Sequence, residues 1–177
     1  MKKLTLFFLC GIVFACNNES TTSTNTTSDS ASADTSTAAM NYPYTIDHPD
    51  YWQIGSSANT MTILSALKAW EQGNMNETVK YFADSVLIEF DGPAAKISND
   101  SLKAMFNAGK SSMKSVKIDM KDWESVISKD KKEEWVTIWY TQHEETNDGK
   151  VDSAAIINDA ELKDGKIMRL AEYRRKL

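Results

Sequence analysis

The sequence predicts an α+β domain in which three helices cover one face of a strongly bent antiparallel sheet. Three observations carry this. Apolar residues first recur at helical spacing, then at a spacing of two over the second half of the chain. Turn residues separate the later segments at hairpin intervals. One stretch, Trp135 to Glu144, is dense in β-branched and aromatic residues on both alternating faces near its start. That marks a central strand, covered by helices on one side and by a partner on the other.

The domain is expected over 42–177, after two segments of different character. Lys2 and Lys3, the apolar run Leu4 to Ala15, and Cys16 read as a secretory signal over 1–16. Val13-Phe14-Ala15-Cys16 resembles a bacterial lipobox, so Cys16 is the expected lipidation site. The expected location is the cell envelope of a Gram-negative bacterium, with the chain held to the inner or outer membrane by its N-terminal lipid. The alternative is an ordinary signal peptide cut nearby. Residues 17–41 are almost entirely Ser, Thr, Asn, Ala and Asp, too polar to offset the entropy of ordering. They read as a disordered tether with a root-mean-square reach of roughly 25–30 Å. Asp29-Ser30-Ala31 matches a short O-glycosylation pattern, although a plain linker explains it as well.

Cys10 and Cys16 are the two cysteines, so the mature domain has no disulfide or Cys-based metal site to form. Removing Lys2 and Lys3 lowers the basic count from 20 to 18 against 25 acidic residues, a formal charge of −7. An acidic domain without a basic stripe excludes nucleic acid as the expected partner.

Within the domain, Tyr42 to Ile54 is an aromatic, proline-bearing lead-in, expected to lie irregularly against the domain and to close one end of a cavity. Its His48 reads as a surface or capping histidine. Ser57 or Asn59 caps a first helix carrying Thr60, Ile63, Leu64, Leu67 and Trp70, which Gly73 stops. Asn74 to Glu77 restarts a short helix with capping-box character. Asp84 to Phe90 is a strand closed by the Asp91-Gly92-Pro93 turn, and Ser98-Asn99 cap a third helix ending near Gly109. Val116, Ile118 and Met120 alternate with polar residues until Trp123 interrupts them, which suggests a bulge. Asn147-Asp148-Gly149 and Asp164-Gly165 are the turns around Val151–Leu162 and Ile167–Tyr173. Arg174-Arg175-Lys176 reads as a solvated end.

Leu67-Lys68-Ala69-Trp70-Glu71-Gln72-Gly73-Asn74, Tyr81-Phe82-Ala83-Asp84, Phe90-Asp91-Gly92 and Asp164-Gly165-Lys166-Ile167 occur in this order and spacing. Over about Asn59 to Tyr173 they resemble the nuclear-transport-factor-2-like superfamily, on the side of SnoaL-like proteins and ketosteroid isomerases. The resemblance implies a cone-shaped, cystatin-like roll, a pocket between helices and sheet, and a homodimer formed through the outer sheet face. It does not carry an activity, because this fold hosts enzymes, ligand binders and interaction modules. The isomerase donor pair has no matching positions here, and Asp91, Asp152 and Asp159 are only stand-ins for the cyclase relatives' acid.

The candidate pocket residues are Asp91, Trp123, Trp139, Tyr140, His143 and Asn158. His143 shares its strand face with Glu145, which could orient it as a base, or it ends a solvated strand. Asp91 lies in a turn that its carboxylate equally well caps. Whichever of Asn158 and Asp159 faces inward is a polar group needing a partner. Trp123, Trp139 and Tyr140 either line the pocket or form core. No His-x-x-x-His, calcium-type carboxylate loop, Gly-rich phosphate loop or G-x-S-x-G is present, so no cofactor is expected. Two functions remain: a non-catalytic, lipid-anchored domain binding a small apolar ligand or a protein in its cone, or a cofactor-independent cyclase- or isomerase-like enzyme using a pocket carboxylate.

Overall fold

The computed structural model describes residues 42–46, 51–90 and 92–177. The chain separates into units 1–45 and 46–177. Of the first, only the exposed turn 42–45 is described. Cys16, the tether and His48 lie outside the described residues.

In the second unit, β1 (Trp52–Ile54) precedes α1 (Ser57–Glu71), α2 (Met75–Thr78) and a 3-10 turn (Val79–Tyr81). β2 (Phe82–Glu89), β3 (Ala95–Ser98) and α3 (Asn99–Ser111) follow. The chain then runs through β4 (Met113–Ser128), β5 (Glu134–Thr146), β6 (Val151–Lys163) and β7 (Lys166–Lys176). One seven-stranded sheet results, in the order β1-β4-β5-β6-β7-β2-β3. Every pairing is antiparallel except β2 with β7, so the sheet is mixed rather than purely antiparallel as expected.

Local chemistry explains the helix ends. The Ser56 hydroxyl accepts from Ala58 N at 3.1 Å and caps α1, one residue before the earliest expected cap. Gly73 sits at φ +78°. Its N–H bonds to Trp70 O, and Asn74 N to Ala69 O, a Schellman closure that needs this left-handed residue. Asn74 then caps α2 by accepting from Glu77 N. Ser98 caps α3 by accepting from Ser101 N at 3.2 Å, and the helix continues past Gly109 to Ser111.

Two strands were not anticipated. Trp52–Ile54, expected to be irregular, pairs with Val126–Ser128 at the sheet edge, and its Trp52 and Ile54 stay exposed. None of its residues lines the cavity described below. The brief β3 pairs with β2. The expected break near Trp123 is a register shift between Met120 and Asp122, with Lys121 as the extra residue. A bulge of this kind bends a strand and changes which face the later residues take.

On β5, Val136, Ile138, Tyr140 and Gln142 are buried, whereas Trp135, Thr137, Trp139, Thr141 and His143 are half-buried. The first set meets α1 and α3 through the core of Ile63, Ala66, Phe82, Val86, Leu102 and Ile156. The second set lies on the outer sheet face.

Candidate functional site

Between the helices and the inner sheet face is a cavity of about 250 Å³. Its walls are mainly apolar: Ile63, Ala66, Leu67 and Trp70 from α1, Met105 and Phe106 from α3, and Phe82, Phe90, Ile138, Ile167 and Leu170 from the strands. The polar part of the lining is Thr78, Tyr140, Gln142, Asn158, Glu172 and Arg174.

Sheet register places the main polar groups together. Ile138 pairs with Asn158, and Asn158 with Glu172; Tyr140 pairs with Ile156, and Ile156 with Arg174. Paired residues share a sheet face, so Tyr140, Asn158, Glu172 and Arg174 all belong to the inner one. Tyr140 and Asn158 are diagonal neighbours, and Asn158 Nδ2 donates to Tyr140 Oη at 3.1 Å. Asn158 is 6% exposed, and no described protein group reaches its Oδ1. Burial, and next the charge of Glu172, push the Tyr140 phenol well above its ordinary value. Tyr140 is therefore a neutral phenol throughout the physiological range.

Beyond this pair, Arg174 donates to Glu144 Oε1 at 2.9 Å and Gln142 Nε2 to Glu144 Oε2 at 3.0 Å. At the helix ends, the Lys110 ammonium lies 5.2 Å from the Trp70 ring centroid and bonds Glu71 O at 2.9 Å. Desolvation lowers its pKa.

Of the six residues expected in the pocket, the structure brings Tyr140 and Asn158 together there. Asp91 lies outside the described residues, although its neighbour Phe90 lines the cavity. Trp139 lies on the outer face, because successive strand residues point to opposite sides and Tyr140 takes the inner one. The bulge returns Trp123 to the register row of Ile138, but its ring is half exposed and outside the cavity lining.

His143 is also on the outer face. Its Nδ1 is 2.7 Å from Ser153 Oγ and its Nε2 3.2 Å from Asp119 Oδ2, across three strands. Glu145, the expected partner, instead pairs with Lys114 at 2.7 Å. The Ser153–His143–Asp119 line has the residue types of a hydrolytic triad, but none of the three lines the main cavity. Lys117 also holds Asp119 at 2.9 Å, and that bond first, with His143 after it, lowers the Asp119 pKa.

Asp159 faces outward and accepts from Thr137 Oγ1 at 2.7 Å. Asp152 pairs with Lys176. Neither is among the residues lining the cavity. The cavity carboxylate is Glu172, which sequence reading missed. Arg174–Lys176 are exposed, as a solvated end should be, but β7 runs on to Lys176 and Arg174 also bonds Glu144 and lines the cavity, a role that sequence reading did not assign. The signal was available, because Leu170, Glu172 and Arg174 continue a period of two.

No protein-family model and no curated protein matches the chain. Solved structures do. A protein of unknown function from Burkholderia pseudomallei, described as NTF2-like, superposes with TM-score 0.57 at 10% identity, covering 68% of this chain and 92% of that one. The chain has an NTF2-like fold. An uncharacterized cystatin-fold protein from Novosphingobium aromaticivorans matches this NTF2-like chain with TM-score 0.54 at 15% identity, over 67% and 100% of the two chains. A putative polyketide cyclase from Xanthomonas campestris pv. campestris matches with TM-score 0.50 at 13% identity, over 66% and 89%. Likeness at this identity shows the fold alone.

Proposed function

We propose that this chain is a lipid-anchored envelope domain that binds a small apolar molecule in its cone. The observation that supports this is the cavity itself: aromatic and aliphatic walls with a few convergent polar groups, as in small-ligand sites. Its volume, about 250 Å³, lies below the roughly 300–1,000 Å³ of drug-sized sites, so the ligand is small. Native mass spectrometry of protein purified from its own host tests the reading. A co-purifying molecule of low mass is expected. A ligand-free spectrum, with no thermal stabilisation by any member of a panel of small aromatic and aliphatic compounds, refutes it. A stoichiometric protein in the same spectrum would favour an interaction module instead.

A specific observation favours one second reading. Glu172 is a carboxylate in an apolar cavity, near enough to the neutral Tyr140 to raise its pKa. A carboxylate base opposite a phenol donor is the minimum for removing a proton next to a carbonyl group. Under this reading the protein exchanges the α-protons of a small cyclic ketone for deuterium, and Glu172→Gln abolishes that exchange. Exchange unchanged by the substitution removes the enzyme.

Anchor and assembly belong to the same proposal. Lipid on Cys16 holds the domain at the membrane, and Cys16→Ala should move it to the soluble fraction. Trp139, Ile157 and Tyr173 form a lateral row across the outer face, with Ile157 and Tyr173 38% and 63% exposed. That row supports a homodimer packed on this face. A monomer in sedimentation at micromolar concentration would remove it.

A further inference from the structure

The orphaned end of Asn158 says more about the ligand than the cavity's size does. Buried amides nearly always find partners for both ends, because an unmet one keeps its full desolvation cost. Asn158 meets this requirement only through Nδ2, which holds the Tyr140 oxygen at 3.1 Å. Its Oδ1 is buried and has no described protein donor, and Asn158 is among the residues that line the cavity. Turning the amide over would not cure this; it would leave Nδ2 orphaned instead. In the observed arrangement the amide N–H donates to the phenol oxygen, which leaves the carbonyl end as the unmet one.

We propose that the cavity selects apolar ligands that carry a hydroxyl or N–H group, whose hydrogen is received by Asn158 Oδ1. This rests on the ligand-binding reading above and adds the chemistry of the ligand's head. The apolar body of the ligand lies against Ile63, Phe82, Phe106 and Leu170, and its donor meets the amide on β6. Tyr140 is a positioning residue here: it occupies Nδ2 and so leaves the acceptor end as the one a ligand donor would meet.

Two probes of one shape test it. 4-Ethylphenol and 4-ethyltoluene differ by a hydroxyl in place of a methyl group, and hydrophobic transfer alone favours the toluene. Titration of the soluble domain, followed by amide NMR shifts, should show 4-ethylphenol binding at least about tenfold more tightly. Asn158→Leu should abolish or reverse that preference while still binding 4-ethyltoluene. A wild-type domain that binds the toluene as tightly as the phenol overturns the donor rule and leaves the apolar cavity standing. A preference that survives Asn158→Leu overturns it too. If neither compound binds the wild-type domain, the cavity reading fails and takes this one with it. Should Asn158→Leu not fold, the wild-type pair alone decides.

Discussion

Asn158 and Tyr140 share one hydrogen bond, yet removing them should have unequal costs in the ligand-free domain. Tyr140→Phe deletes the oxygen that Nδ2 donates to at 3.1 Å, leaving both ends of a buried amide without a protein partner. Losing the bond and stranding a buried donor together cost about 1–3 kcal/mol. Asn158→Leu deletes the same bond, about 1 kcal/mol, but it also removes the amide whose Oδ1 is already unmet, and it keeps the side-chain size. Relief of that desolvation offsets the loss, so Asn158→Leu should fall within about 1 kcal/mol of wild type. The double variant should resemble Asn158→Leu rather than the sum of the two singles, because the partners are in contact. Urea unfolding with an unchanged slope measures all three. An Asn158→Leu domain as destabilised as Tyr140→Phe would refute the reasoning, because it would mean that Oδ1 is satisfied in the folded protein.

Three further outcomes are expected. Gly55→Ala would place a Cβ 2.8 Å from the Val126 nitrogen, a backbone atom that cannot rotate away; the cost should be about 1–3 kcal/mol, read as a lower Tm with faster amide exchange over Trp52–Ile54. Gly109→Ala should do the opposite: a Cβ there meets nothing within 4 Å, so the variant should gain about 0.5–1 kcal/mol of helix stability in urea unfolding. The third outcome concerns acid. The Ser128 hydroxyl, with Lys132 and Tyr51, holds the Asp130 carboxyl well below its usual value; Lys117 does the same for Asp119, and Lys176 for Asp152. Native values below the unfolded ones give a stabilisation fully present above about pH 4 and lost as pH falls through the native values. Tm should therefore fall on acidification below about pH 4, and Asp130→Asn should flatten the fall. An identical pH profile for the variant would exclude Asp130 from the effect.

The helices and long strands were legible because their signals are local. Gly73, Asn74 and Ser98 act within a few residues of themselves, and each does in the structure what its side chain dictates. The strands β1 and β3 were not legible, since three- and four-residue strands carry no usable period and exist only through β4 and β2. The parallel contact of β2 with β7 is a long-range pairing that no local pattern encodes. For the site, alternation alone excludes Trp139 once Tyr140 is placed inside. Trp123 shows the limit of alternation, because the bulge at Lys121 changes which face each later residue takes. Glu172 was missed for a different reason. It lay inside the expected Ile167–Tyr173 strand, in period with Leu170, but that period was never used to assign it to the inner face.

The inner sheet face, read row by row, fixes the direction in which a ligand must lie. Val136, Ala160 and Leu170 form an apolar row; the next is Ile138, Asn158 and Glu172, then Tyr140, Ile156 and Arg174, and finally Gln142, Ala154 and Lys176. Polarity therefore rises along β5 from Val136 to Gln142, while Ile63 and Phe106 keep the opposite, helical wall apolar. Glu144 takes up both Gln142 and Arg174 at 3.0 and 2.9 Å, so the Arg174 charge is balanced within the protein before any ligand arrives. Asn158 Oδ1 is the buried polar atom with no described partner, so an apolar tail there would strand an amide, and an anion would share the cavity with the Glu172 carboxylate. A molecule with an apolar body and a neutral donor head satisfies both rows at once, in one orientation only.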